Sequence, residues 1–150
     1  MLEHDYVRFP ELTTKQLQEF GLTSPHVQIV EDFFATVVKV HDGDTVTLRV
    51  KFRDFDFPLR LLEVDAPEMN SGGEVARDWL RGRILEKEVM VMIDRENRVG
   101  KYGRLLGRIL HSGMDAGQEM LYLGLVKPFG ARSEGQLPIM EKELSVSQWL

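Results

Sequence analysis

Two short runs of the chain place carboxylates at the ends of strand-like segments. Asp44 follows an Asp42-Gly43 turn and opens the alternating run 45–52, which is typical of a half-buried strand that starts from a tight turn. This position predicts that Asp44 lies at a rigid, exposed edge. Asp65 closes a second, apolar run, and Glu68 follows it closely. Because neighbouring strands usually pair, these carboxylates could converge on one hard cation such as Ca²⁺ or Mg²⁺.

Arg60 lies within the second run, among apolar residues. A guanidinium binds phosphate through two parallel hydrogen bonds, and a buried guanidinium needs partners. Arg60 therefore fits either a phosphate clamp or a structural ion network with Asp65 or Glu68. Strict alternation along one strand would place Arg60 and Asp65 on opposite faces, so a bulge, a bend or the length of the arginine has to reconcile them.

The hydrophobic periodicity predicts the elements that would position these residues. The predicted strands are 33–40, 45–52, 57–64, 89–93 and 105–110, and the predicted helices are 74–85, 114–125 and a short stretch at 139–149. For the first three strands, periodicity alone does not distinguish a closing barrel from an open meander. Five strands, with a helix after the third and another after the fifth, match a β-rich α+β fold. We expect a five-stranded OB-type Greek-key barrel with two to three helices.

The length of 150 residues predicts one domain with a shorter segment on each side. We expect an acidic N-terminal extension at 1–34 with a short helix and a linker, a barrel domain at 35–130 and a short tail at 131–150. Residues 1–35 hold six acids and two bases, a net −4 of the total −5. The extension either packs on the barrel or docks onto a larger assembly, and the sequence permits both.

Composition excludes several classes of protein. Cysteine is absent, which excludes a disulfide framework, a zinc–thiolate site and a thiol nucleophile. The first ten residues lack the apolar run of a secretory signal, and no stretch is long enough to span a bilayer. We therefore expect a cytoplasmic protein or one carried in a larger particle. The net charge of −5 disfavours a general basic binding face, although local arginines and a bound cation can still attract a polyanion.

Three motifs, taken in order, resemble those of the thermonuclease (staphylococcal nuclease) family. They are Val40-His41-Asp42-Gly43-Asp44-Thr45, Leu59-Arg60-Leu61-Leu62-Glu63-Val64-Asp65-Ala66-Pro67-Glu68 and Lys101-Tyr102-Gly103-Arg104. The likeness spans about Ala35 to Phe129. One such motif is a weak signal, but three in order and in suitable structural contexts are a strong one. The resemblance implies an OB-type fold and a nuclease of DNA and RNA that leaves 5′-hydroxyl and 3′-phosphate ends.

The resemblance also implies a metal site and a base. Asp44, Asp65 and the main-chain carbonyl of Ala66 would hold one Ca²⁺. The family often has threonine where this chain has Ala66, but the carbonyl survives the change. Glu68 would act as the general base or would order the attacking water.

The remaining matched residues would contact phosphate. Arg60 and Arg104 would clamp the phosphoryl oxygens, with one of them also assisting the leaving 5′ oxygen. Lys101 and Tyr102 match positions that contact the terminal phosphate of the substrate. The tyrosines that the family stacks on bases are missing, and Phe129 is the nearest aromatic replacement, so we expect a weaker or altered base preference.

The complete set of five catalytic and metal-binding side chains favours a Ca²⁺-dependent phosphodiesterase. The alternative is an OB-type module that binds nucleic acid without useful turnover, or an assembly component of a virion or large complex tethered by residues 1–34. We otherwise expect a monomer.

Overall fold

The computed structural model describes residues 10–13, 27–100 and 103–129, and these form a small β-rich unit. The strands are β1 (Phe33–Asp42), β2 (Thr45–Arg49), β3 (Phe57–Leu61), β4 (Val64–Asp65), β5 (Glu88–Met92), β6 (Leu105–His111), β7 (Met114–Asp115) and β8 (Lys127–Pro128). The helices are α1 (Gly73–Ile84) and α2 (Ala116–Tyr122), and single 3₁₀ turns cover Met69–Ser71 and Arg95–Asn97. No helix in these ranges is long and apolar enough to cross a membrane.

Five of the strands close into a barrel. Antiparallel ladders join β2 to β1 and β3, and they join β5 to β1 and β6. A parallel ladder between β3 and β6 completes the ring, with Leu59 opposite Leu105 and Leu61 opposite Gly107. Closure removes the unpaired edges that an open meander would leave. The predicted five-stranded OB-type barrel with two helices is therefore confirmed, and the open meander is excluded.

The long strand β1 bends so that it can pair with β2 and β5. Its register shifts between Val37 and Lys39 and again between Val40 and Asp42, as at a β-bulge. Such irregularities increase local twist and allow a short sheet to curl. The second shift lies at the end of β1 and so sets the position of the turn that carries Asp44.

The core fills the barrel and extends under both helices. Ala76, Leu80 and Ile84 recur every fourth residue along α1 and are buried, which gives the helix one apolar stripe against the barrel. Ile29 also belongs to the buried core, and Leu12 is fully buried. Residues on the N-terminal side of the barrel thus pack against it.

Two predicted strands are shorter than expected. β2 ends at Arg49 instead of residue 52. The predicted strand 57–64 is divided, because Glu63 adopts a left-handed φ of 65° that a regular strand cannot contain. β3 therefore ends at Leu61, and β4 begins at Val64.

The second helix is also shorter than the predicted 114–125. Met114 and Asp115 pair with β6 instead, and the Asp115 side chain accepts a hydrogen bond from the Gln118 N–H at 3.1 Å, which caps the start of α2. The helix ends at Tyr122, shortly before Gly124, which has φ 73°. The short helix of the N-terminal extension is predicted within 8–25; of these residues the structure describes 10–13, which are not helical. The rest of that segment and the predicted helix at 139–149 lie outside the described residues, and the domain boundaries stay predictions.

The closure of the barrel depends on a glycine, and this can be tested. A Cβ at Gly107 would lie 2.9 Å from Val91 Cγ1 and 3.1 Å from the Met92 carbonyl oxygen. We expect Gly107→Ala to lower the free energy of unfolding by about 1–3 kcal/mol through overpacking, as measured by urea denaturation. The control is Gly82→Ala on α1, where a Cβ meets nothing within 4 Å. Because alanine favours helix, this control should gain about 1 kcal/mol, and a neutral Gly107→Ala would contradict the packing account.

Candidate active site

The guanidinium of Arg60 lies between two carboxylates. Its Nη2 is 3.3 Å from Asp44 Oδ2 and 3.3 Å from Asp65 Oδ1. All three side chains are largely buried, with exposed fractions of 12 %, 9 % and 8 %. The structure thus brings together Asp44, from the start of one predicted strand, and Arg60 and Asp65, from the second apolar run.

The bend after β3 explains how one strand can present both Arg60 and Asp65. Pairing of β2 with β3 sets Thr45 opposite Arg60, so the Asp44 turn lies beside the arginine. Arg60 Nη1 then donates to the carbonyl oxygens of Leu61 at 3.1 Å and Val64 at 3.0 Å. The guanidinium therefore spans the bend and holds the two short strands in place. Strict alternation would place Arg60 and Asp65 on opposite faces, and the bend, one of the possibilities that the sequence left open, brings them together.

Glu63, at the apex of this bend, was not identified from the sequence. Its carboxylate pairs with Arg108 Nη2 at 2.6 Å, and its carbonyl oxygen accepts a hydrogen bond from the Phe129 N–H at 2.9 Å. The Phe129 ring lies 5.3 Å from the Arg60 guanidinium carbon. One non-glycine residue with positive φ thus connects the bend to the aromatic residue that covers Arg60, and no local sequence signal marks such a residue.

Asp44 is buried, so its predicted exposed position is wrong. Its Oδ2 accepts a hydrogen bond from the Ala66 N–H at 2.8 Å, and its Oδ1 accepts one from the Thr45 hydroxyl at 2.9 Å. The cause is the close packing of α1 on the turn, because a Cβ at Gly43 would come within 2.7 Å of Ala76 Cβ. The glycine of the Asp-Gly-Asp motif is therefore needed for close approach as well as for the turn.

Asp42 is a second acidic residue at the site that the sequence treated only as part of a turn. Its Oδ1 accepts a hydrogen bond from the Asp44 N–H at 3.0 Å. Burial, followed by the hydrogen bond with the Asp44 carboxyl, raises the pKa of Asp42 to about 6. Burial opposes ionisation of Asp44 too, but hydrogen bonds from Asp42 and Ala66 and the charge of Arg60 outweigh it and lower the pKa of Asp44. The spacing of two acids around one glycine was the available signal for Asp42.

Arg104 adjoins the same cluster from the start of β6. It is half-buried, and burial followed by the neighbouring charge of Arg60 lowers its pKa, while Asp44 and Asp42 act in the opposite direction. Its carbonyl oxygen accepts a hydrogen bond from the Gly100 N–H at 2.8 Å, which closes the loop before β6. Two guanidinium groups therefore face the acidic turn.

Lys101 and Tyr102, the predicted contacts to a terminal phosphate, lie outside the described residues. Their expected role stays a prediction. The flanking Gly100 and Gly103 are described, and the Gly103 N–H donates to the Gly100 carbonyl oxygen at 3.2 Å.

Two cavities border the cluster, and residues of β4 or β8 contribute to the lining of each. The first, of about 520 Å³, is lined by Asp65, Ala66 and Glu68 together with Lys127 of β8. The second, of about 340 Å³, is lined by Arg60 and Phe129, among others. Glu68 thus shares a cavity with two of the predicted metal-binding residues, and the arginine opens toward the other cavity.

The oxygen ligands available for a cation are two carboxylates and one carbonyl. Within the described ranges no group of three or more His, Cys, Asp or Glu is placed to hold a metal ion, so Asp44, Asp65 and the Ala66 carbonyl would need water or substrate oxygens to complete a coordination shell. The chemistry of this donor set fits a hard cation. Burial is the main cause of the raised pKa of Asp42, the Asp44 charge adds to it, and a nearby cation would favour the ionised carboxylate.

The Asp42 carboxyl predicts a measurable pH dependence of stability. Its pKa rises from an ordinary value of 3.8 to about 6 on folding, so the folded chain binds this proton more tightly. Its contribution to stability is therefore lost as the pH rises through this interval. Without divalent cations, Asp42→Asn should raise the free energy of unfolding at pH 7 by about 1 kcal/mol, allowing for solvent screening.

Thermal melts from pH 4 to pH 7 test this prediction, because the gain of Asp42→Asn should shrink toward pH 4. Asp56→Asn is the control: Asp56 pairs with the exposed Arg49 at 2.9 Å on the neighbouring strand, and a pair of this kind contributes little. A gain that is the same at every pH would contradict the account.

A comparison with known protein families identifies the family of this chain. The family described as staphylococcal nuclease homologue matches residues 58–143, which is more than half of the chain. The matched range begins after Asp44 and contains Arg60, Asp65, Glu68 and Arg104. The chain therefore belongs to the staphylococcal nuclease homologue family.

Proposed function

We propose that this protein is a Ca²⁺-dependent nuclease that hydrolyses phosphodiester bonds of DNA and RNA and leaves 5′-hydroxyl and 3′-phosphate ends. Membership of the family indicates a nuclease-type, nucleic-acid-related function. The observation that carries the finer proposal is the Arg60 guanidinium, which lies 3.3 Å from both Asp44 and Asp65 with Arg104 beside it.

Charge neutralisation is the first requirement of the reaction, since a phosphodiester is an anion that repels nucleophiles. Arg60 Nη1 and Nη2 hold the bend and the two carboxylates, and its Nε is outside these contacts. A phosphate entering beside Nε would meet a guanidinium that is already oriented by four protein oxygens. Arg104 would clamp the same phosphate from the start of β6. Preorganised donors of this kind stabilise charge that develops in the transition state.

The nucleophile is a water molecule on the Glu68 side. Glu68 would take one proton from this water while the water oxygen bonds to phosphorus and the bond from phosphorus to the 5′ oxygen breaks. The leaving 5′ oxygen, stabilised by a hydrogen bond from one of the two arginines, takes up a proton from solvent and becomes a hydroxyl, and Glu68 returns its proton to solvent. The phosphate stays on the 3′ oxygen. Support for this role of Glu68 comes from the cavity that it shares with Asp65 and Ala66.

Asp44, Asp65 and the Ala66 main-chain carbonyl would hold the Ca²⁺. When bound, the cation would offset the phosphate charge and favour the approach of the nucleophile. The Ala66 N–H donates to Asp44 Oδ2 at 2.8 Å. This hydrogen bond holds the backbone of the residue that would supply the carbonyl ligand.

A second candidate function is an OB-type module that binds nucleic acid, or serves in an assembly, without turnover. One observation favours it: Arg60 is already engaged by two carboxylates and two carbonyls, as in a structural ion network. The two functions differ in whether the folded protein turns over substrate.

The first test is cleavage of single-stranded DNA, duplex DNA and RNA in Ca²⁺, in Mg²⁺ and in EDTA. We expect cutting that requires Ca²⁺ and leaves 3′-phosphates. Arg60→Lys and Glu68→Gln should each lower kcat by about two to four orders of magnitude, because each removes a group that acts in the transition state. Products that carry 3′-phosphates should be extended at their 3′ ends only after phosphatase treatment.

The matched controls keep the type of substitution and move it away from the site. Arg49→Lys changes an exposed arginine on β2, and Glu74→Gln changes an exposed glutamate in the first turn of α1. Both should cleave within about twofold of the wild type. Folded wild-type protein that binds DNA but does not cut it would support the binding module instead.

Phe129 provides a separate prediction about substrate binding. Its ring is 63 % exposed and covers Arg60 at the mouth of the second cavity. Stacking of a base on an aromatic ring contributes about 1–3 kcal/mol, so Phe129→Ala should raise KM for a short single strand about 5- to 100-fold with a smaller change in kcat. The control is Phe34→Ala on β1, a phenylalanine of 62 % exposure. Equal effects of the two substitutions would argue against a stacking role.

A further inference from the structure

A buried ionic cluster lies apart from the proposed active site and consists of Glu11, Arg53 and Arg98. The Glu11 carboxylate is fully buried and pairs with Arg53 Nη2 through Oε1 and with Arg98 Nη2 through Oε2, the latter at 3.2 Å. The side chains of Arg53 and Arg98 are 2 % and 3 % exposed. One carboxylate thus pairs with two guanidinium groups, and no part of the proposed reaction uses this cluster.

The Glu11 cluster binds the main chain on the N-terminal side of the barrel. Arg98 donates to the carbonyl oxygens of Leu12 at 2.6 Å and Ile29 at 2.8 Å, and the Ile29 N–H donates to Glu11 at 3.1 Å. Arg53 Nη2 donates to the Val27 carbonyl oxygen at 2.7 Å. Residues 10–13 and 27–29 are therefore part of the folded unit.

Arg98 also lies at the base of the loop that ends in Arg104. Its carbonyl oxygen accepts a hydrogen bond from the Leu106 N–H at 2.8 Å, and the next residue, Val99, forms a bridge with Leu105. One step further, the Gly100 N–H donates to the Arg104 carbonyl oxygen at 2.8 Å. These contacts form a short ladder, so a displacement of Arg98 would be passed to the backbone of Arg104.

Loss of the Glu11 charge would remove the carboxylate partner of both arginines. The Arg53 guanidinium is held over the rings of Phe57, at 4.7 Å, and Phe55, at 5.3 Å, which would retain it. Arg98 would be left as a buried charge without its carboxylate, and breaking a buried pair on one side is strongly unfavourable. Movement of Arg98 toward solvent would open the ladder that leads to Arg104.

We propose that Glu11 is a positioning residue of the active site, which fixes Arg104 through the Arg98 guanidinium and the ladder between residues 98 and 106. The proposal rests on the proposed nuclease function for its effect on activity. It assigns to residues 10–13 a part in building the phosphate clamp.

The kinetic test is a double-mutant cycle of Glu11→Gln and Arg104→Ala. Glu11→Gln should lower kcat about 10- to 100-fold, because small displacements of a clamping group cost this much. In the Arg104→Ala background the same substitution should change kcat less than about threefold, since the group that it positions is gone. If Glu11→Gln only reduced the amount of folded protein, it would lower kcat by the same factor in the wild-type background and in the Arg104→Ala background. That result would overturn the proposal.

The matched control is Glu119→Gln. Glu119 of α2 pairs with Arg83 of α1 at 3.2 Å, and both side chains are half-buried away from the residue 98–106 ladder, so its substitution should leave kcat within about twofold. If Glu11→Gln does not fold, Glu11→Asp keeps the charge and shortens the side chain by one methylene. The same cycle with Arg104→Ala then applies, with a smaller loss expected and the same overturning result.

Amide hydrogen exchange tests the proposal without reference to activity. In Glu11→Gln the Gly100 and Leu106 amides, which bond to Arg104 and Arg98, should exchange at least about tenfold faster than in the wild type. The Leu61 amide, which bonds to Asp44 in the barrel, should be unchanged. Uniform acceleration across the barrel, or unchanged Gly100 and Leu106, would overturn the proposal. If the wild type cuts no substrate, the proposed nuclease function is wrong. The exchange rates of the Gly100 and Leu106 amides still test whether Glu11 positions the backbone of Arg104.

Discussion

The burial of the Arg60 guanidinium is the constraint around which the site is built. A buried charge is costly unless it is paired and hydrogen-bonded, and Arg60 meets this requirement with two carboxylates and two carbonyl oxygens. Each of these contacts fixes a different piece of backbone. The carbonyls of Leu61 and Val64 define the bend after β3, and the carboxylates of Asp44 and Asp65 define the turn after β1 and the end of β4. The pairing of one buried guanidinium therefore fixes both the backbone conformation of the site and the positions of its carboxylates.

Closure of the barrel brings the second guanidinium to the first. In the parallel ladder of β3 and β6, Arg60 lies opposite Leu106, so the residue that precedes β6 arrives beside it. That residue is Arg104, and its lowered pKa reflects burial and the nearby Arg60 charge. The parallel pairing of β3 and β6 brings these like charges together. The carboxylates of the acidic turn offset the repulsion between the two arginines. Two guanidinium groups side by side are the arrangement expected at a phosphate-binding site.

The Glu11 cluster repeats the same physical device on the other side of the loop before β6. There, one carboxylate pairs with two buried guanidinium groups, and hydrogen bonds to main-chain carbonyls hold the N-terminal residues against the barrel. Arg98 thus belongs to the Glu11 cluster, and Arg104 adjoins the Arg60 cluster. The acidity of the N-terminal segment, which the sequence offers as a sign of docking, includes at least one charge that serves the fold itself.

The sequence by itself determined the elements and the identity of the clustered residues. Alternation and turn chemistry are local, so the five barrel strands, the Asp42-Gly43-Asp44 turn and the apolar run through Arg60 can be identified from short windows. Order and spacing of three motifs were enough to indicate the family, which the match to residues 58–143 bears out. Because the chain has no cysteine, thiolate ligands and thiol nucleophiles are excluded, and the candidate catalytic and metal-binding groups are oxygen and nitrogen groups.

Only the tertiary structure decided burial and long-range pairing. Asp44 is covered because α1 packs against Gly43, and Asp65 reaches Arg60 because Glu63 takes a left-handed conformation. The pair of Glu11 and Arg98 joins residues 87 positions apart, and nothing near either residue marks its partner. Such contacts are chosen by the balance between desolvation and pairing in the folded chain, and this balance has no periodic signature in the sequence.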